Sequence, residues 1–158
     1  MDNRNIKLSL RKVIHSHKNL LLNWANDPVV RKGSFQNHMI TEDEHEKWFD
    51  SKLNNPNVLM WIFTYNGSPA GTIRFEKDKK EVILSYQIAP NYRGKGLGTD
   101  MLKMAIERVE YNWHHSNKIM AYTVPGNIAS VKSMEKVGFC LESSSNEKIV
   151  MYYLIPKN

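Results

Sequence analysis

The chain has 158 residues, within the usual span of about 100–200 for one domain, so a single domain over 1–158 with one substantial core is expected and a disulfide-stapled peptide scaffold is excluded. Hydrophobic residues at 41% and charged residues at 24% are ordinary globular values, and no apolar run approaches the roughly 18 residues of a membrane span. The 22 Lys and Arg against 16 Asp and Glu give a formal charge of +6, which favours an anionic partner: nucleic acid, anionic lipid or a phosphorylated small molecule.

Along the chain, Ile6 to Arg11 alternates apolar and polar residues with period two and predicts a first strand. Residues 16–26, with Leu20, Leu21, Leu22 and Trp24, predict a short helix stopped by Asn26-Asp27-Pro28. A second helix starts at a capping box, Thr41 with Glu44, and places His45, Trp48, Phe49 and Lys52 on one face before the Asn54-Asn55-Pro56 stop. Val58 to Tyr65 and Ala70 to Glu76 form a hairpin across Asn66-Gly67-Ser68-Pro69, and Lys77 to Lys80 is a second turn. Glu81 to Ala89 is a further strand, ended by Pro90, and a glycine-rich loop then leads into a helix with Leu97, Met101, Leu102, Ala105 and Val109 on one side. Ile119 to Val124 is a strand, Asn127 to Val137 a helix closed by Gly138, and Phe139–Leu141 and Ile149–Ile155 are the last strands. This order predicts an α/β (α+β) chain with a mixed sheet and helices on its faces.

The lone cysteine, Cys140, can form no internal disulfide and is expected to be a small buried residue after Phe139. The first five residues contain no apolar leader, which points to the cytoplasm. The six histidines, at 15, 17, 38, 45, 114 and 115, show no metal-ligand spacing, so no metal is expected. His114 and His115 are expected at the solvated end of a helix, pointing apart.

The most informative segment is Arg93-Gly94-Lys95-Gly96-Leu97-Gly98, between a strand and a helix. Its glycines let a backbone approach a ligand closely, and the helix start behind them offers unpaired N–H groups and a positive dipole end. Arg93 and Lys95 add charge, so the loop suits a pyrophosphate. It has neither the Gly-Lys-Ser/Thr ending of a P-loop nor the spacing of a dinucleotide fold.

At these residues the chain resembles the GCN5-related N-acetyltransferases. Arg93, Gly96 and Gly98 match that family's Q/R-x-x-G-x-G/A loop, preceded by a strand with a splayed end, Ser85 to Pro90. Asn127, Ser130 and Gly138-Phe139 match its second signature. The resemblance implies a mixed, mostly antiparallel sheet of about seven strands with about four helices, and acetyl-CoA as co-substrate. It implies that backbone groups of Ile88 and Ala89 pair with the pantetheine arm in the manner of an added strand. It also implies that Arg93, Gly94, Lys95, Gly96, Leu97 and Gly98, with Thr99, hold the pyrophosphate, and that Asn127 and Ser130 contact the arm near the thioester. Asn127 equally suits a plain helix cap.

The N-terminal third, from Leu22 to Phe49, together with Gly71 to Phe75, resembles a narrower subgroup that acetylates the 4-amino group of a UDP-linked 4-amino-4,6-dideoxy sugar in pseudaminic acid biosynthesis. That resemblance implies a nucleotide-sugar pocket with Trp48 or Phe49 against the uracil and Arg31, His45 and Arg74 near the diphosphate. Ala25 departs from the arginine many members carry. Two usual acid-base positions also depart: Met134 stands where many members have Tyr, and Tyr122 where a glutamate is frequent. The remaining catalytic candidates are Tyr122 as a phenol, Glu81 or Glu76 reaching the amine through water, and Ser85 or Ser130 hydrogen-bonding the intermediate, and on an unbulged strand Glu81 and Ser85 share a face. The alternatives are acetylation of protein N-termini or small amines, and a degenerate CoA-binding module. The basic residues are dispersed, so neither nucleic acid nor membrane is expected as a partner. A homodimer stays open.

Overall fold

The computed structural model describes residues 5–157; residues 1–4, most of the segment on which the lack of a leader was read, lie outside the described residues. In chain order the elements are β1 (Leu8–Lys12), α1 (Lys18–Ala25), α2 (Pro28–Lys32), α3 (Glu42–Lys52), β2 (Val58–Tyr65), β3 (Ser68–Asp78) and β4 (Glu81–Ile88). They continue as α4 (Leu97–Asn112), β5 (Lys118–Thr123), α5 (Ile128–Lys136), β6 (Cys140–Ser144) and β7 (Ile149–Leu154), with single 3-10 turns at His15–His17 and Pro90–Tyr92. The strands form one seven-stranded sheet ordered β1-β2-β3-β4-β5-β7-β6. Every pairing is antiparallel except β4 with β5, whose connection through α4 returns the chain to the end of the sheet from which β4 began; β1 and β2, joined through α1–α3, stay antiparallel.

Both faces of the sheet are covered along β2, which explains its unbroken apolar run. Trp61 and Phe63 face a core completed by Met101, Leu102, Ala105 and Val109 of α4. Met60 and Ile62 face a second core with Leu21 and Trp24 of α1 and Phe49 of α3. The β2–β3 hairpin closes through Asn66 and Gly67, whose φ angles of 51° and 85° are those of a tight two-residue turn. Thr41 caps α3 as expected, its Oγ1 accepting from the Glu44 N–H at 3.1 Å.

The seven strands agree with the sequence; the helix count does not. Asn26-Asp27-Pro28, expected only to stop α1, also starts α2, giving five helices where about four were expected. Asp27 Oδ1 accepts from the Val29 N–H at 3.3 Å and Pro28 takes the first helical position, where its missing N–H costs nothing. Cys140 is exposed, because β6 is an edge strand with all five residues exposed. His114 and His115 lie past the end of α4 and, where they were expected to point apart, their rings meet at a tilt of 47° with centroids 4.0 Å apart. Among the described residues no helix is long and apolar enough to cross a membrane, and no group of three or more His, Cys, Asp or Glu is gathered as a metal site would require.

Candidate active site

The parallel strands β4 and β5 pair only from Glu81 to Leu84 with Lys118 to Ala121. Beyond Leu84 they part, and Ser85 to Ile88 remain bonded to β3 alone. The Ala89 N–H donates to Ala70 O at 2.8 Å. Alternation in the antiparallel ladder then turns the backbone polar groups of Ser85 and Gln87 toward β3, and those of Tyr86 and Ile88 into the open gap. An extended ligand adding itself as a strand would meet Tyr86 and the Ile88 N–H, since the Ile88 carbonyl already accepts from Arg93 Nε. The expected partner Ala89 has its N–H committed, and its carbonyl accepts from the Tyr92 N–H at 2.9 Å.

A groove of about 410 Å³ starts at this gap and runs between the glycine loop and α5, lined by Tyr86, Gln87, Ile88, Arg93, Gly94, Gly96, Leu97, Gly98, Asn127 and Ser130 among others. Gly94 and Gly96 both have φ of 77°, a left-handed conformation that favours glycine. Gly96 is also the N-cap of α4, and no side chain caps that helix. Its first-turn N–H groups are left for an anion, as a pyrophosphate site needs. Asn127 caps α5 by accepting from the Ser130 N–H at 3.3 Å and lines the groove at the same time. Its two readings, helix cap and ligand contact, are thus compatible. Lys95 and Thr99 do not line the groove; the Lys95 ammonium lies 5.8 Å from the Tyr92 ring centroid.

Arg93 lines the groove, but its guanidinium is already engaged. Its Nε donates to Ile88 O at 3.0 Å and its Nη2 pairs with Asp27. It ties the glycine loop to the end of β4 and to the cap of α2. The side chain thereby positions three elements around the groove it lines.

A second cavity of about 440 Å³ abuts the first on the α1–α3 side of the sheet. It is lined by Arg31, His38, Glu44, His45, Trp48, Thr72, Arg74, Ser85, Tyr86 and Gln87 among others. Val30, Ser34, Tyr86 and Gln87 line both cavities, so the cavities meet where β4 splays. The Arg74 guanidinium lies 5.0 Å from the Trp48 ring centroid, donates from Nε to Glu76 at 2.9 Å and from Nη2 to Ser85 Oγ at 3.2 Å. Burial would raise the Glu76 carboxyl, but Lys52 and Arg74 beside it outweigh this and hold it below the ordinary carboxylate value. The His45 ring stacks on Trp48 with centroids 5.5 Å apart. Its Nε2 faces Lys18 O at 2.8 Å. A carbonyl can only accept, so Nε2 carries the hydrogen and Nδ1 keeps its lone pair in the neutral ring.

Of the residues expected to meet an acceptor, His45, Trp48, Arg31 and Arg74 thus gather around one cavity. Arg31 gives its donors to the chain: Nε to Ala25 O at 2.6 Å and Nη1 to Gln36 O at 3.0 Å, so it shapes the wall. Phe49 is fully buried in the second core and lines neither cavity, because the i, i+1 step on α3 turns it away from Trp48.

Of the catalytic candidates, Ser85 lines the second cavity and Ser130 the groove, while Glu76 lines neither and pairs with Lys52 and Arg74. Glu81 sits at the opposite end of β4, 3.9 Å from Lys118 Nζ. Tyr122 is 41% exposed and lines neither cavity, with Lys148 over its ring at 5.7 Å. Met134 is buried in the core.

Two residues at the junction, Tyr86 and Gln87, were not singled out as site residues from the sequence. The Tyr86 hydroxyl is 2.8 Å from Ser130 Oγ, bringing β4 and α5 together across the groove. Burial pushes its phenol up, partly opposed by the Ser130 hydrogen bond, so it stays protonated at neutral pH. Its hint in the sequence is its place in the splayed segment, opposite in parity to Ser85.

Residues 7–140 match the acetyltransferase (GNAT) domain, and the chain belongs to that family. It is 23% identical over 126 residues to mycothiol acetyltransferase of Corynebacterium glutamicum, a match covering 77% of this chain and 40% of that protein. The chain therefore spans well under half the length of this curated relative. A domain from Methanocaldococcus jannaschii superposes with a TM-score of 0.83 at 19% identity, covering 95% of this chain and 99% of that one. Spermidine N-acetyltransferase from Vibrio cholerae, solved in complex with CoA and spermine, does so at 0.80 and 18% identity, covering 94% and 95%. These likenesses establish the GNAT fold.

Proposed function

We propose that this protein moves the acetyl group of acetyl-CoA directly to a primary amine, the 4-amino group of a UDP-linked 4-amino-4,6-dideoxy sugar. The groove beside the glycine loop takes the CoA pyrophosphate on backbone N–H groups, and the open edge at Tyr86 and the Ile88 N–H takes the pantetheine amides. The thioester then lies at the junction, within reach of the second cavity. In the transfer the amine lone pair forms the C–N bond, the C–S bond breaks with its electron pair going to sulfur, and the proton given up by the nitrogen ends, through solvent, on the CoA thiolate. The protonated Tyr86 phenol, held by Ser130 at the junction, can donate a hydrogen bond to the departing thiolate. An amine on an electron-withdrawing sugar ring is weakly basic, so a strong general base is not required.

The charge inventory of the second cavity carries the choice of acceptor. Its lining includes Arg31 and Arg74 but only one carboxylate, Glu44, which lies 3.5 Å from His38. A polyamine would need acidic walls; an anionic, hydroxyl-rich substrate with an aromatic base suits Arg74, Trp48 and Ser85. The test is thiol release from acetyl-CoA with the UDP-amino sugar, spermidine and a short peptide as competing acceptors. Turnover confined to the sugar nucleotide is expected; turnover on spermidine or peptide with none on the sugar nucleotide would overturn this choice. UDP alone should protect against heat, by about 2.7 kcal/mol at a hundred times its Kd.

A further inference from the structure

The short helix α2 bridges the cofactor groove. At its start Asp27 pairs with Arg93 of the glycine loop. At its end a Cβ added to Gly33 would lie 3.8 Å from Nδ2 of Asn127, the cap of α5. Residues three apart share a helix face, so Val30 stands on the same face of α2 as Asp27 and Gly33, midway between the two groove walls they reach. It is half-buried and, with Ser34, Tyr86 and Gln87, is one of the four described residues that line both cavities. The other three carry polar groups already engaged or enclosed: Ser34 Oγ donates to Val30 O at 2.6 Å, the Tyr86 hydroxyl meets Ser130 Oγ, and Gln87 Oε1 is buried. Val30 is therefore the one aliphatic side chain at the junction. Its helix is fastened at both ends, by Asp27 on Arg93 and by Arg31 on Ala25 O and Gln36 O, which makes Val30 part of a fixed wall.

We infer that Val30 sets the size of the acyl group that the enzyme transfers: its methyl groups close the junction around the acetyl methyl and exclude longer chains. The assignment deepens the acetyl-transfer reading and rests on the cofactor placement proposed above, but not on which amine is used. With CoA in the groove and the amine in the second cavity, the acyl group is the one part that passes between them. A longer acyl chain must therefore fit against whatever apolar side chain lines both. One methylene against such a wall changes discrimination by about 10–200-fold, and a wall fixed at both ends cannot yield without displacing its own anchors.

The test is kcat/KM of the wild type, Val30→Ala and Val30→Ile with acetyl-, propionyl- and butyryl-CoA, on whichever of the UDP-linked 4-amino sugar, spermidine and a short peptide the wild type prefers. The wild type should favour acetyl-CoA over propionyl-CoA by roughly tenfold or more. Val30→Ala should raise the propionyl-to-acetyl ratio about tenfold, and Val30→Ile, which adds one methylene, should lower it. A helix that was merely loosened would change kcat/KM for all three acyl-CoAs by one factor, so opposite shifts of the ratio in the two variants are the mark of a steric wall. The calorimetric Kd of propionyl-CoA, divided by that of CoA in the same variant, should fall in Val30→Ala and rise in Val30→Ile, and needs no acceptor. A wild type that uses butyryl-CoA as well as acetyl-CoA, or ratios that move in neither variant, overturns the assignment alone. A wild type that binds acetyl-CoA but acetylates no amine overturns the transfer reading, and the Kd ratios then decide Val30 by themselves.

Discussion

The two cavities that meet at Gln87 are made of different material. The groove beside the glycine loop is largely backbone: open strand edge at Tyr86 and the Ile88 N–H, left-handed glycines at 94 and 96, and the uncapped start of α4. The acceptor cavity is side chain: Arg74 over Trp48, His45 against the same ring, and Ser85 on Arg74. A backbone site can serve one invariant ligand on many sequences, whereas a side-chain site is rewritten by each substitution. The two therefore respond to mutation by different rules, and single changes should uncouple them.

The largest effect is expected on the backbone side. At Gly96, with φ of 77°, an added Cβ meets nothing within 4 Å, so the cost of a side chain there is conformational. Gly96→Val should weaken CoA binding by roughly a hundredfold, since a β-branched residue strongly resists this conformation and pulls the first-turn N–H groups out of line. Calorimetry should show UDP affinity unchanged in the same variant. A parallel loss of UDP binding would mean that the cavities are not separable.

Arg93 is where they are joined. Its bonds to Ile88 O and Asp27 fasten the glycine loop to α2, and Val30 and Ser34, at and just past α2, line both cavities. Arg93→Ala should cost roughly 2 kcal/mol of stability, near 6 °C in Tm, from lost charge-assisted hydrogen bonds. It should also raise KM for both substrates. Arg93→Lys should not restore either, because one ammonium cannot reproduce the guanidinium fork. A variant raising only the CoA KM would return Arg93 to the role of a plain phosphate contact.

Confined to the other side, Arg74→Ala should weaken UDP binding about tenfold, by loss of a charged donor, and leave the Kd of CoA at the wild-type value. A change in CoA affinity instead would place Arg74 in the wrong cavity.

The same division decided what the sequence made legible. Glycine spacing, helix start and strand order specify backbone, so the groove could be read at Gly94, Gly96 and Gly98 before any coordinates. The acceptor side depended on directions that spacing does not encode. Trp48 and Phe49 are adjacent on α3, yet one lines a cavity and the other is fully buried in a core. Glu81 and Ser85 share a face of an unbulged strand, yet four residues of extended chain, roughly 13 Å, separate the turn from the site. Pro28 was read for what it ends, although at a first helical position it also begins α2. Arg31 and Arg93 show a further limit: charge can be counted in a sequence, but not whether a carbonyl or carboxylate has already claimed it.

The smallest expected effect concerns how firmly Arg74 is held. Lys52 and Arg74 keep the Glu76 carboxyl below its ordinary value against the opposing effect of burial. A carboxylate lowered in this way contributes stability above its unfolded-state pKa, and that contribution is lost as pH falls through the lower folded value. Glu76→Gln should therefore lower Tm at pH 7 by only about 2 °C, the scale of partly exposed ion pairs, and the difference should shrink as the pH falls below the ordinary glutamate range and the wild-type carboxyl protonates. Arg74 would still lie over Trp48 in the variant but lose its Nε anchor, so UDP binding should weaken slightly at pH 7 while CoA binding does not change. A Tm difference that did not shrink as the solution is acidified would show that Glu76 acts by shape and packing, and that Arg74 is oriented by Trp48 and Ser85 alone.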